Sequence, residues 1–162
     1  MRAEVESDLA SGTLYVSPRL REDAVDAYVN ALLEAVDGGT PQSLADAIRS
    51  QQLLKEFETA VRSGKPHTKR VPVTAADTLA EGEVNRYYAR GLCLRAIQEG
   101  IAHVRVYRAK AVHEPRPDSV AMLGRLIDAQ ALLNDLRASN GVEPALGLPR
   151  GPNSGLSVEL PS

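Results

Sequence analysis

Residues 86–107 read Arg86-Tyr87-Tyr88-Ala89-Arg90-Gly91-Leu92-Cys93-Leu94-Arg95-Ala96-Ile97-Gln98-Glu99-Gly100-Ile101-Ala102-His103-Val104-Arg105-Val106-Tyr107, and a change of period inside this stretch decides the fold. At 100° per residue, Val84, Tyr88 and Leu92 share one side of a helix, Leu94 and Tyr87 a second, and Cys93 and Ile97 a third. A helix that is apolar on most of its circumference is a central one. Beyond Gly100, Ala102, Val104 and Val106 alternate with His103, Arg105 and Tyr107, the two-residue period of a strand with one covered face. A lone strand cannot satisfy its own hydrogen bonds. Its candidate partners are Leu14 to Val16 and the alternating Leu156-Ser157-Val158-Glu159-Leu160.

The central helix is expected to begin near Thr74 or Thr78, where Thr78-Leu79-Ala80-Glu81 has capping-box spacing. Arg86, Arg90 and Arg95 lie within it. An unpaired buried charge costs on the order of several kcal/mol, so these guanidinium groups must meet carboxylates or carbonyl oxygens and would hold the core register. Asp77, Glu81 and Glu83 read as cap and ion-pair partners rather than paired catalytic carboxylates. Gly91 costs about 1 kcal/mol relative to Ala in a helix interior, which marks the close approach of another backbone.

Upstream, residues 1–13 show no helical or strand period and Thr13 to Val16 are β-prone, so 1–16 read as an N-terminal extension. Ser17-Pro18 has the cap-then-proline form of a helix start, followed by a stripe of Leu20, Val25, Tyr28, Leu32 and Leu33 up to Gly38-Gly39. Thr40-Pro41 repeats the device, and Leu44, Ile48, Leu53, Phe57 and Val61 extend a second stripe to Gly64. Two helices joined so closely form an αα-hairpin. Residues 65–73, with two prolines, read as a basic connector. Downstream, 118–127 is expected to be helical with a break at Gly124, and Asp128 to cap a last helix through Leu132, Leu133 and Leu136. The expected fold is α+β and predominantly helical: an antiparallel helical hairpin on a central helix, a small two- or three-stranded sheet, and an extended C-terminal arm. A single α-rich domain would cover 1–138 and the arm 139–162.

That arm holds prolines at 144, 149, 152 and 161 and glycines at 141, 147, 151 and 155. It cannot be helical, yet Leu146, Leu148, Leu156, Val158 and Leu160 make it too apolar for a solvated linker. An extended segment with spaced aliphatic residues suits a groove or a sheet edge on a neighbouring molecule.

The 162 residues carry 19 Lys and Arg against 21 Asp and Glu, and 43 % are hydrophobic, which fits one ordinary globular core. No apolar run is long enough for a membrane span, the acidic N-terminus is unlike a secretory signal, and the single Cys93 excludes an internal disulfide and agrees with a reducing cytoplasm. Charge is segregated: −6 over residues 1–61, +6 over 62–116 and −2 over 117–162. Such blocks neutralise each other within one chain or between copies.

The chemistry-bearing patterns are mostly missing. No phosphate-binding loop, dinucleotide fingerprint, nucleophile elbow, His-Glu-x-x-His or EF-hand motif occurs. His67, His103 and His113 have no ligand spacing; His103, His113 and Glu114 across a turn make a weaker case for a metal than for solvated surface. Cys93, among Leu92, Leu94 and Ile97, reads as a packed small hydrophobe, and Tyr87-Tyr88 as core rather than a base-stacking pair. No cofactor is expected. Lys65, Lys69, Arg70 and Arg105 are candidate nucleic-acid contacts, weakened by the negative net charge and the lack of Trp. The expected role is therefore non-catalytic: a structural subunit, cytoplasmic or in a phage-type virion as a head, neck or tail adaptor. It would dock through its arm onto further copies or other structural subunits. The alternatives are a nucleic-acid-binding regulatory module and a small enzyme with an unrecognised site.

Overall fold

The long helix is present as α4 (Ala75–Gln98), and Gly100 stops it at φ 72°, a left-handed conformation that glycine adopts without strain. The structure, a computed structural model, describes residues 1–139 and 155–161. Over these the fold is mixed α+β, 51 % helical and 18 % strand, with six helices and two small antiparallel sheets. In chain order the other elements are α1 (Arg2–Ser11), a 3-10 turn (Glu22–Ala24), α2 (Val25–Asp37), α3 (Pro41–Ser50), β1 (Phe57–Arg62), β2 (Lys65–Arg70), β3 (His103–Arg108), α5 (Pro117–Ala121), β4 (Leu126–Asp128), α6 (Ala129–Ala138) and β5 (Leu156–Glu159). The chain forms two compact units, one of Met1–Leu14 with the residues from Asn85 onward, the other of Tyr15–Val84, so that α4 contributes to both.

The first unit is built on a three-stranded sheet of order β4-β3-β5. β3 buries Val104 and Val106, as its alternation requires, and pairs antiparallel with both neighbours. Its second partner is the late segment: Val106 stands opposite Val158 and Arg108 opposite Leu156, while the 14–16 segment forms no strand. Leu156 and Val158 join Cys93, Val104, Val106, Leu132 and Leu133 in one apolar core. α6 begins at Asp128, whose carboxylate accepts from the Ala131 N–H, as expected. Between them, 118–127 departs from the expected broken helix: α5 stops at Ala121, Gly124 turns the chain at φ 78°, and residues 126–128 become β4.

The expected N-terminal extension contains a helix. α1 buries Glu4, Val5 and Asp8, and a methyl group at Gly91 would lie 2.9 Å from the Met1 nitrogen. That is the close backbone approach expected of this glycine. Thr78 does not start α4; it lies inside the helix, its hydroxyl donating to the Thr74 carbonyl.

In the second unit, α2 and α3 form the expected helical hairpin. α2 buries Tyr28, Ala31, Leu32, Ala35 and Val36, and α3 buries Leu44, Ala45 and Ile48. Thr40 and Ser43 close a reciprocal capping box ahead of Pro41. Two boundaries differ from expectation. Ser17-Pro18 does not start a helix, because Leu20 bridges Leu54 in a short β contact and α2 begins only at Val25. The stripe assigned to a second helix ends at Ser50, and Phe57 and Val61 belong to β1. The basic connector is its antiparallel partner β2.

Candidate functional site

The five aliphatic residues proposed as arm contacts fare differently. Leu156 and Val158 are only 3 % and 1 % exposed, buried in the core of their own unit, which corrects the expectation that they serve another molecule. Leu160 is half-buried against the same core. The physical reason is β3: its free edge lies in the same chain, at far higher effective concentration than any neighbour's. The segment is clamped where it enters, since the Gly155 carbonyl accepts from the Ala109 and Lys110 N–H groups and the Asn85 amide donates to the Leu156 carbonyl at 3.0 Å. Leu146 and Leu148 lie outside the described residues.

The four candidate nucleic-acid contacts are also divided. Arg105 is on β3 directly opposite Glu159 and pairs with it at 2.9 Å. Lys65, Lys69 and Arg70 are together on β2, in the other unit.

The β1–β2 ribbon is the most exposed element among the described strands. Ser63 and Gly64 form a two-residue turn, both at positive φ, the geometry that matches the twist of a tight hairpin. Cross-strand pairs share a face. One face presents Phe57, Thr59 and Val61 beside Arg70, Thr68 and Pro66, with the Arg70 guanidinium 5.4 Å from the centre of the Phe57 ring. The other presents Arg62, Lys65, His67 and Lys69, with Glu58 at its root. All of β2 is exposed, and Val61 is 72 % exposed. The root is held firmly: Glu58 accepts from Arg19 at 2.6 and 3.2 Å and takes Lys69 at 3.2 Å, and Lys55 donates to the Pro18 carbonyl. The Arg19 hydrogen bond draws the Glu58 carboxyl below its ordinary pKa against the effect of desolvation, with Lys69 adding to the shift. Arg70 pairs with Glu56, both exposed, whereas Arg62 and Lys65 near the tip make no ion pair among the described residues.

A second cluster has the composition of an active site and the construction of a clamp. Glu4 and Asp8, one helical turn apart on α1, meet Arg90 of α4. Its Nε donates to Glu4 at 2.7 Å and its Nη1 and Nη2 to Asp8 at 2.6 and 2.9 Å. Arg137 of α6 donates to Glu4 at 2.6 and 3.0 Å, and the Tyr87 hydroxyl to Asp8 at 2.8 Å. Two carboxylates face two guanidinium groups, so the buried charge cancels. Of the three arginines expected to hold the core, Arg90 does so through α1 rather than through Asp77, Glu81 or Glu83. Arg86 donates to the Ser139 carbonyl, and Arg95 is an exposed partner of Glu99. The histidines stand apart on exposed positions, and among the described residues no group of His, Cys, Asp or Glu is placed to hold a metal. Cys93 is fully buried, and desolvation pushes its thiol up to about 11.

The clamp makes stability depend on acidity. Hydrogen bonding from Arg137, aided by Arg90, outweighs desolvation and lowers the Glu4 carboxyl from 4.5. At Asp8 desolvation raises the carboxyl, and hydrogen bonds from Arg90 and Tyr87 overcome it, lowering it from 3.8. Both folded-state values lie below the unfolded ones, so this stabilisation is present above about pH 5 and is lost as pH falls through those values. The urea midpoint is expected to drop steeply below about pH 4.5, and a Glu4→Gln, Asp8→Asn variant to show a shallower acid limb. An identical limb in that variant would remove the clamp from the account.

Comparison with protein-family models, curated proteins and solved structures gives no match.

Proposed function

We propose that the chain is a non-catalytic assembly subunit that docks onto a neighbouring chain through the β1–β2 hairpin, in place of the C-terminal segment. The observation that carries this reading is the ribbon itself: two six-residue strands with both faces in solvent, and Phe57 and Val61 exposed on one of them. A two-stranded ribbon is marginal in water unless something covers it. Here the root is fastened by Arg19, Glu58 and Lys55, which keeps the outer part presented rather than collapsed. The setting we assign is a phage-type virion component such as a head, neck or tail adaptor, by architectural analogy alone.

The test is light scattering on the full chain beside a variant in which residues 57–70 are replaced by a short Gly-Ser turn. The full chain is expected to scatter as a multimer and the variant as a folded monomer with an unchanged helical circular dichroism signal. A full chain that stays monomeric at all concentrations, or a variant that multimerises equally well, overturns the reading. Steeply salt-dependent binding to random duplex DNA, lost with the hairpin, would move it to a nucleic-acid contact.

A further inference from the structure

The hairpin's tip and one face of α2 are charge complements on the same unit. From Glu22 to Ile48 the sequence has six carboxylates and no Lys or Arg, and Asp26 and Glu34 are exposed on α2 with no ion pair among the described residues. The ribbon from Phe57 to Arg70 has four cations against Glu58 alone. Glu58 is already held by Arg19 as well as Lys69, which leaves positive charge in excess at the root too. The spacings also agree. Asp26 and Glu34, eight residues apart on a helix, are separated by about 12 Å along the axis, and Lys65 and Lys69, four apart on a strand, by about 13 Å.

We propose that the hairpin's occupant is a second copy of this chain, with Arg62, Lys65 and Lys69 of one copy lying along Asp26 and Glu34 of the next. This deepens the docking reading and rests on it. The two surfaces differ, so the contact is heterologous and each copy offers one of each; repeated, it closes a ring or runs on as a filament. Direct hairpin-to-hairpin pairing meets like charge and a proline, Pro66, in β2, both of which oppose edge association. The contact is made of exposed charges, so it weakens with added salt.

The test is charge-reversal complementation. Arg62→Glu with Lys65→Glu leaves two acidic surfaces, Asp26→Lys with Glu34→Lys leaves two basic ones, and each variant alone is expected to lose the multimer. A one-to-one mixture restores both complementary contacts and is expected to re-form multimers in which the two variants alternate, at the wild-type mass where the wild-type copy number is even. All four positions are exposed, and folding is checked by circular dichroism. The milder Arg62→Gln, Lys65→Gln and Asp26→Asn, Glu34→Asn pairs serve where a reversal disturbs it, each expected to require a higher protein concentration for assembly. Wild-type mass for the α2 reversal alone, or no recovery in the mixture of folded variants, overturns the inference. If hairpin removal still dissolves the multimer in that case, docking through the ribbon stands and only its occupant is wrong. A multimer that strengthens with salt would favour pairing between hairpins and also overturn it, as would a hairpin reversal that abolishes DNA binding without changing the mass.

Discussion

Replacing Arg90 with leucine is expected to destabilise the first unit by about 3–5 kcal/mol, the usual cost of stranding a buried charge by removing its partner. Arg90 is 2 % exposed and contacts both Glu4 and Asp8. Without it, Glu4 keeps Arg137, whereas Asp8 keeps only neutral donors, Tyr87 and Thr13. One uncompensated carboxylate would then remain inside. Adding Asp8→Asn to Arg90→Leu removes that charge and is expected to recover part of the loss. Arg90→Lys should fall between, because an ammonium cannot form the fork that spans two carboxylates. Chemical denaturation followed by circular dichroism measures all three. A loss under about 1 kcal/mol for the leucine variant would mean that water already reaches the cluster.

Truncation before Gly155 is expected to cost more than surface trimming and to unfold the first unit. Deleting β5 removes Leu156 and Val158 from the core, about 1.5–3 kcal/mol each from burial alone. It also unpairs one edge of β3 along its four-residue register with β5. Domains of ordinary stability have only about 5–15 kcal/mol in total. Amide exchange reports the outcome directly: Arg105, Tyr107 and Ala109, whose N–H groups face β5 while that of Val106 donates to the Arg125 carbonyl, should lose protection in the truncated chain, and an unchanged exchange pattern would show the strand to be unpaired in solution. Leu156→Ala with Val158→Ala keeps the backbone ladder and should produce a smaller loss of the same kind.

The parts of this fold that rest on apolar periodicity were legible in the sequence: α4, β3 and the α2–α3 hairpin, whereas the partner of β3 was left between residues 14–16 and 156–160, because both are short and β-prone. The N-terminal helix α1 and the β1–β2 hairpin were not legible. α1 escapes a hydrophobic pattern because two of its three buried residues, Glu4 and Asp8, are carboxylates; its signal was the unsatisfied Arg90, whose partner stands 86 positions earlier in the chain. The hairpin was obscured because Leu53, Phe57 and Val61 recur every four residues and mimic a helical stripe. The Ser63-Gly64 pair flanked by Val61 and Thr68 was the available sign of a two-residue turn. The aliphatic residues of the C-terminal segment were recognised as needing cover, but apolar spacing alone does not say whose core supplies it.

Unit division has a consequence for biosynthesis. The Tyr15–Val84 unit is contiguous, so a nascent chain holds all of it early. The other unit needs residues from both sides of that block and lacks its closing strand until Glu159 has been made, several seconds later at roughly 10 residues per second. On the ribosome, the half that carries the ribbon therefore matures first, while α1 waits with Glu4 and Asp8 hydrated for the arginine that will dehydrate them.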